Sequence, residues 1–186
     1  MKRARLAILA SGTGTNAEKI IDRFPGQVLL VASNKPEAGV LAIAERAGIP
    51  TLIIDRDRFR KGDAYVPVLQ ALEIDWVILA GFLWKIPVPL IRAFPNRIVN
   101  IHPALLPKYG GKGMYGPYVH EAVLAAGESE SGITIHYVDE QYDHGKIILQ
   151  ERIGISPGET PDSLAKKIQA LEHKHYPLVI ARLIAQ

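Results

Sequence analysis

The sequence predicts an α/β fold, a Rossmann-like, mostly parallel sheet with an antiparallel C-terminal hairpin. Three observations carry that prediction. Short, continuously apolar runs alternate with helically spaced segments through the first hundred residues, the pattern of parallel strands covered on both faces. The first run leads directly into a glycine loop and a helix. Beyond Pro103 the rhythm changes to two alternating stretches joined by a turn-rich segment, the pattern of a hairpin.

The elements follow in order. Residues 5–10 read as the first strand, 11–16 as the glycine loop and 17–24 as a helix. Residues 27–32 are again continuously apolar, and residues 38–47 have helical spacing with Gly48 as a stop. A third strand falls at 51–54, a helix with an awkward internal Pro67 at 64–72, a fourth strand at 75–80 and a fifth at 97–101. The hairpin strands are 132–138 and 146–155, joined by 139–145. A last helix runs from about residue 160 to the end, with Thr160 or Asp162 as its N-cap. No repeat or linker interrupts the pattern. Residues 1–186 are therefore expected to form one domain, a nucleotide-binding-like half over about 1–100 and a hairpin-bearing half over about 100–186.

Composition narrows the chemistry. The chain has 186 residues, 48% of them hydrophobic, and no cysteine. That removes disulfides, thiolate zinc sites, iron–sulfur clusters and a cysteine nucleophile. The net charge of +3 is spread along the chain rather than gathered into a basic stripe, so nucleic acid is not expected as a partner. No apolar run approaches the roughly 20 residues of a membrane span. The start Met-Lys-Arg-Ala-Arg resembles a signal n-region, but the apolar stretch behind it stops at Ser11, too soon for an h-region. A soluble, cytoplasmic protein is expected.

Two constellations carry candidate chemistry. Gly12-Thr13-Gly14-Thr15-Asn16-Ala17 fits G-x-G-x-x-G/A between strand and helix, where free helix N–H groups and the dipole favour a phosphate. A NAD site would want an acidic residue about 20 positions on. Ser33-Asn34-Lys35 stands there instead, which disfavours NAD and leaves NADP or a phosphosugar monoester. The second constellation is Asn100-Ile101-His102-Pro103. Residues two apart on a strand share a face, so Asn100 and His102 project together, and proline ends the strand. They are either a hydrogen-bonded edge pair or ligand-facing groups at the carboxyl end of an α/β strand. Asp143, in the hairpin turn, is either a turn carboxylate or the charge partner of His102; a pairing role requires the two within about 10 Å. Metal binding is not expected: His173 and His175 are two apart on a helix and no H-E-x-x-H occurs.

Taken together, Ser11-Gly-Thr-Gly-Thr-Asn16, Ala32-Ser-Asn-Lys35, Leu79-Ala-Gly-Phe82, Asn100-Ile-His-Pro-Ala-Leu-Leu-Pro-Lys-Tyr109 and residues 132–150 resemble the phosphoribosylglycinamide formyltransferases, folate-dependent enzymes of purine synthesis. The likeness runs from near Leu6 to about Ile184. Asn100-x-His102 with Leu105-Leu-Pro107 and Asp143 marks the superfamily, and the glycine loop with Glu172-His173 favours this member of it. The resemblance implies a formyltransferase-like fold, a phosphate-binding N-terminal half and a folate-binding, catalytic C-terminal half. It implies direct attack of the glycinamide ribonucleotide amine on 10-formyltetrahydrofolate, the co-substrate, without a metal. Asn100 and a protonated His102 would stabilise the oxyanion, with Asp143 keeping His102 charged and relaying a proton. Gly14, Thr15 and Asn16 would bind the substrate phosphate and Glu172 its ribose. Leu83, Trp84, Lys85, Ile86, Asn100, Asp139 and Glu140 would contact the folate.

This chain departs from the family pattern in two places. Trp84 stands where a basic residue is common, with Lys85 one position on. Gly62 falls where some members carry an arginine for the folate glutamate tail, with Lys61 and Arg60 as replacements. A monomer or homodimer acting on these two small molecules, with no membrane partner, is the expected form. Superfamily relatives that hydrolyse 10-formyltetrahydrofolate or formylate methionyl-tRNA usually carry a further domain, for which 186 residues are expected to leave no room. An NADP-dependent reductase would leave Asn100, His102 and Asp143 without a shared purpose.

Overall fold

The computed structural model describes residues 3–185; Met1 and Lys2 of the basic N-terminal run, and Gln186, to which the last helix was expected to extend, lie outside the described residues. Seven strands form one sheet: β1 Leu6–Leu9, β2 Val28–Ser33, β3 Thr51–Ile53, β4 Trp76–Leu79, β5 Ile98–His102, β6 Glu130–Tyr137 and β7 Ile147–Gly154. The helices are α1 Thr15–Arg23, α2 Gly39–Arg46, α3 Arg56–Lys61, α4 Val66–Ala71, α5 Val88–Ala93, α6 Pro117–Ala125 and α7 Pro161–Ile184. The spatial order is β3-β2-β1-β4-β5-β6-β7. Pairs from β3 through β5 are parallel, and β6 and β7 add antiparallel. This is the mixed α/β sheet that the sequence predicts.

Alternation along each strand decides the layers. Leu6, Ile8 and Ala10 enter a core shared with α1, α2, α6 and α7, whereas Ala7 and Leu9 enter a second core shared with α3, α4 and α5. Burial on both faces is why these strands read as unbroken apolar runs. Strand order reverses at β1, whose neighbours are β2 and β4. Connections leave the carboxyl ends of β1 and β4 in opposite directions and open a crevice there, where open α/β sheets bind ligands.

Four helices differ from the sequence reading. The expected helix at 64–72 is α4, which begins at Val66, so Pro67 sits in the first turn where its missing N–H costs little. Ahead of it lies α3, capped by Asp55, whose carboxylate accepts from the Arg58 backbone N–H at 2.9 Å. α3 and α5 have six residues each, and α5 and α6 open on prolines, so their apolar spacing is too short or too masked to register as a period. Thr160 is the N-cap of α7, in a capping box with Ser163.

The longest helix also fixes the crevice. Tyr176 on α7 is fully buried, and its hydroxyl donates to the carbonyls of Leu79 at 2.8 Å and Val99 at 3.1 Å. It ties the carboxyl end of β4 to the first half of β5, beneath the loops that carry the candidate site. Replacing Tyr176 with Phe leaves both buried carbonyls without this donor and is expected to cost about 1–3 kcal/mol. Urea unfolding measures it; a change below about 0.3 kcal/mol would show that the hydroxyl does not hold the strands together.

Candidate active site

The glycine loop after β1 is built for close approach. Gly14 precedes α1 with φ +85°, and a Cβ there would lie 2.6 Å from the Val40 Cα, so no side chain fits. No side chain caps α1, so its first-turn N–H groups remain open to an anion. Ser11 stitches the loop to its neighbours. Its backbone N–H donates to the Gly81 carbonyl at 3.0 Å, its hydroxyl donates to Asn34 Oδ1 at 2.5 Å, and it accepts from the Leu83 N–H at 2.9 Å.

α7 supplies the other wall. Gln169 Nε2 donates to Thr15 Oγ1 at 3.1 Å, and Asn16 Nδ2 donates to Glu172 Oε2 at 2.8 Å. Asn16 Oδ1 is buried without a partner among the described residues. Burial pushes the Glu172 carboxyl up to about 7, against the opposing effect of the Asn16 hydrogen bond. Asn16 and Glu172, 156 positions apart, thus meet at this wall.

The second cluster gathers at the mouth of β5. Antiparallel pairing sets Asn100 opposite His136 and His102 opposite Thr134. The hairpin turn then folds back so that Asp143, held at φ +50°, reaches both histidines. Asp143 Oδ2 lies 3.6 Å from His102 Nδ1 and accepts the Gly111 N–H at 2.9 Å. Its Oδ1 lies 3.7 Å from His136 Nε2 and 3.5 Å from Asn100 Nδ2. The separation of His102 and Asp143 is well inside the limit for strong coupling.

The histidine tautomers follow from their partners. His102 Nε2 lies 2.7 Å from the Tyr109 carbonyl, which can only accept, so Nε2 carries the hydrogen and Nδ1 faces Asp143. His136 Nδ1 likewise donates to the Tyr137 carbonyl at 2.8 Å, leaving Nε2 to accept from Asn100 Nδ2 at 3.2 Å.

The resemblance implies that Asp143 holds His102 in its charged form, and burial opposes that effect. His102 is only 4% exposed, and burial lowers its pKa by more than the Asp143 charge and the Tyr109 carbonyl raise it, with His136 lowering it further. The free protein therefore favours a neutral imidazole. For Asp143 burial acts upward, but its two histidine neighbours, His136 foremost, and the Gly111 N–H outweigh it and hold the carboxyl below its ordinary range.

The predicted folate segment divides. Leu83 is pinned through its N–H to Ser11, and Trp84 packs among Phe59 and Phe82 with ring centroids 5.9 and 6.2 Å away. Lys85 is exposed. Ile86, by contrast, buries its side chain in the second core, so only its backbone is free to meet a ligand. Asp139 accepts from the Gln141 N–H at 2.8 Å and pairs with His144 at 2.9 Å, while Glu140 lies 3.6 Å from Arg92. Gly62 ends α3 at φ +100°, where a Cβ would come within 2.7 Å of Pro89 Cγ. An arginine cannot occupy that position; Arg60 and Lys61 stand exposed in the turn before it. Among the described residues no group of three His, Cys, Asp or Glu side chains is placed to hold a metal ion.

Sequence reasoning gave no role to His136, Tyr109, Gly111 or Thr134. Thr134 Oγ1 donates to the Ala104 carbonyl at 2.6 Å and accepts the Leu106 N–H at 3.0 Å, fixing the turn after His102. The available signal was alternation: Thr134 and His136 are polar positions two apart, interleaved with Ile133 and Ile135.

The formyl transferase family model matches residues 4–180. The chain is 42% identical over 192 residues to the chloroplastic phosphoribosylglycinamide formyltransferase of Arabidopsis thaliana, with 98% of this chain and 66% of that protein covered. It is 36% identical to the phosphoribosylglycinamide formyltransferase of Haemophilus influenzae, with 95% and 85% covered. The fold is similar to glycinamide ribonucleotide transformylase 1 from Symbiobacterium toebii, at TM-score 0.90 and 36% identity over 98% of this chain and 88% of that one. It is also similar to the phosphoribosylglycinamide formyltransferase of Streptococcus pneumoniae, at TM-score 0.87 and 35% identity over 97% and 98%. The chain spans just under two-thirds of the length of the two plant relatives, 66% and 62%.

The buried Glu172 makes stability depend on pH. Its carboxyl holds a proton more tightly folded, at about 7, than unfolded, where 4.5 applies. The stabilisation is complete below about 4.5 and is lost as pH rises through about 7, amounting to about 3 kcal/mol in full. Glu172→Gln, a mimic of the neutral form, is expected to melt with the parent at pH 4.5 and several degrees above it at pH 8.5. Equal melting temperatures at pH 8.5 would count against a carboxyl buried at a cost.

Proposed function

The chain belongs to the formyl transferase family, and from that premise we propose that it transfers the formyl group of 10-formyltetrahydrofolate to the amine of glycinamide ribonucleotide, a step of purine biosynthesis. The observation that carries this reading is the meeting of Asn100, His102, His136 and Asp143 at the carboxyl end of β5, on the sheet edge that also holds the open start of α1. A base, an amide donor and a carboxylate share one small volume, and an anion seat lies at the end of β1 beside the same crevice. One catalytic domain covering the chain suffices for this chemistry.

The amine nitrogen attacks the formyl carbon, a C–N bond forms and the carbonyl oxygen takes up the negative charge. A proton then leaves that nitrogen, the bond from carbon to N10 of the folate breaks, and N10 gains a proton. No covalent enzyme intermediate is needed, in keeping with a chain without cysteine. His102 enters this sequence neutral, with Nε2–H committed to Tyr109 and the Nδ1 lone pair free. Nδ1 accepts the amine proton, and Asp143 at 3.6 Å stabilises the imidazolium that results. The imidazolium then returns a proton towards N10. Asn100 keeps one hydrogen on His136 and holds the other in its loose 3.5 Å contact with Asp143, from which the developing oxyanion can draw it.

Gly14, Thr15 and Asn16 receive the phosphate, through N–H groups that nothing else caps. Glu172 and the unpartnered Asn16 Oδ1 receive ribose hydroxyls. The folate lies along Leu83, Trp84 and Lys85 and the turn that carries Asp139 and Glu140, with Ile86 contributing backbone. The protein acts in the cytoplasm as a monomer or homodimer on two small molecules; among the described residues no helix is long and apolar enough to cross a membrane.

Purified protein is expected to transfer formyl from 10-formyltetrahydrofolate to glycinamide ribonucleotide in a spectrophotometric assay without added metal. His102→Ala should lose about a hundredfold to a thousandfold in kcat. Formate release independent of glycinamide ribonucleotide would instead mark a hydrolase. A neutral His102 acting as base predicts that kcat/KM falls as pH drops below the ordinary histidine value. Because the Asp143 charge raises the His102 pKa, Asp143→Asn should move this acid limb to lower pH while reducing kcat. A rate that instead declines as pH rises through the same range would require a protonated His102 and overturn the base assignment.

A further inference from the structure

Resting on the formyl-transfer reading, we propose that Glu128 is a positioning residue for His102, acting through Tyr109. The Tyr109 carbonyl is the group that fixes the His102 tautomer, at 2.7 Å from Nε2. Tyr109 itself sits at φ +56°, a left-handed conformation that a residue with a Cβ adopts only when its surroundings impose it. Its hydroxyl donates to Glu128 Oε1 at 2.8 Å, and the neighbouring Lys108 Nζ donates to the same oxygen at 2.8 Å. Glu128 lies in the connection between α6 and β6, nineteen positions beyond Tyr109. One carboxylate oxygen therefore grips two consecutive residues of the segment on which His102 leans.

The rest of that segment shows why this grip matters. Its first half is fixed from below: Thr134 bonds the Ala104 carbonyl and the Leu106 N–H, and Gln150 Nε2 donates to the Leu106 carbonyl at 2.8 Å. Past Leu106 these bonds from β6 and β7 stop, and apart from His102 itself the next side chain to hold this backbone is Asp143, at the Gly111 N–H. Instead a cavity of about 220 Å³ opens beside residues 105–109, bounded on its far side by Val123, Ser131 and Gln150. The buried Ser131 hydroxyl has no partner there among the described residues. Over this hollow, hydrogen bonds to Glu128 help set where the Tyr109 backbone lies. Hydrogen bonds to a carboxylate are short and directional, suited to holding a carbonyl to within a few tenths of an ångström. A displacement of about 1 Å at a catalytic group can cost about a hundredfold, so partial loosening of this tether should cost about tenfold.

Glu128→Ala is expected to lower kcat about tenfold, with KM for both substrates within about threefold of the parent. Glu128→Gln keeps an oxygen for the Tyr109 hydroxyl and should restore most of the rate. Tyr109→Phe removes the same tether from the other end and should match Glu128→Ala. Lys108→Met leaves the Tyr109 arm in place and should stay within about twofold of the parent. The readout that a general loss of stability would not mimic is the ring-nitrogen NMR signature of His102. In the parent and in Lys108→Met it should report hydrogen fixed on Nε2; in Glu128→Ala and Tyr109→Phe it should shift towards a tautomer average. Parental kcat and ring signature in Glu128→Ala would overturn the proposal, as would an equal loss in Lys108→Met. The ring signature is read without substrate, so a failure of the formyl-transfer reading itself would be seen separately, as a parent that does not turn over.

Discussion

The antiparallel register of β6 on β5 sets Asn100 across from His136 and His102 across from Thr134, and the distances in the candidate site descend from it. A shift by one residue would turn Thr134 and His136 to the opposite face and leave Asn100 and His102 against Ile133 and Ile135. The same register brings the turn after β6 back over the strand end, which is how Asp143 comes within 3.6 Å of His102 from forty-one positions away. Gly145 permits that return: a Cβ there would strike the Tyr137 carbonyl oxygen. The first four parallel strands are a general scaffold, and the chemistry begins where the parallel order ends.

Within that geometry two opposing effects decide the state of His102. Asp143 and the Tyr109 carbonyl favour the imidazolium, whereas burial and His136 favour the neutral ring, and burial wins. A neutral ring poised beside a carboxylate is suited to gaining a proton during reaction rather than holding one beforehand. Glu172 shows the same principle with opposite consequence, since burial there raises a carboxyl towards neutrality. In both places a nearly dry site resists resting charge and leaves charge to appear when substrate arrives.

α7 joins the two halves of the crevice. From successive turns it sends Gln169 to Thr15, Glu172 to Asn16 and Tyr176 to the carbonyls of Leu79 in β4 and Val99 in β5. The phosphate seat and the catalytic strand are thus referenced to one rigid element 24 residues long. The loops between these anchors are free to differ from relatives, as at Gly62, where the close approach of Pro89 forbids the arginine that the resemblance suggested.

The sequence by itself determined the layered α/β fold, the glycine loop, the strand that pairs Asn100 with His102 and the candidate set that includes Asp143 and Glu172. All of these are written in local periods: apolar runs, residues two apart on a strand, a glycine between strand and helix. Two six-residue helices, α3 and α5, and the proline-led α6 left too few turns to show a period. Only the tertiary structure decided that His136 backs Asn100, that the Tyr109 carbonyl fixes the His102 tautomer, that Ile86 turns inward, and that burial draws the His102 pKa down. Each of these depends on which groups share a dry volume and at what distance. Burial and Coulomb interactions are properties of spatial neighbours, and the neighbours here are seven to 156 positions apart in the chain.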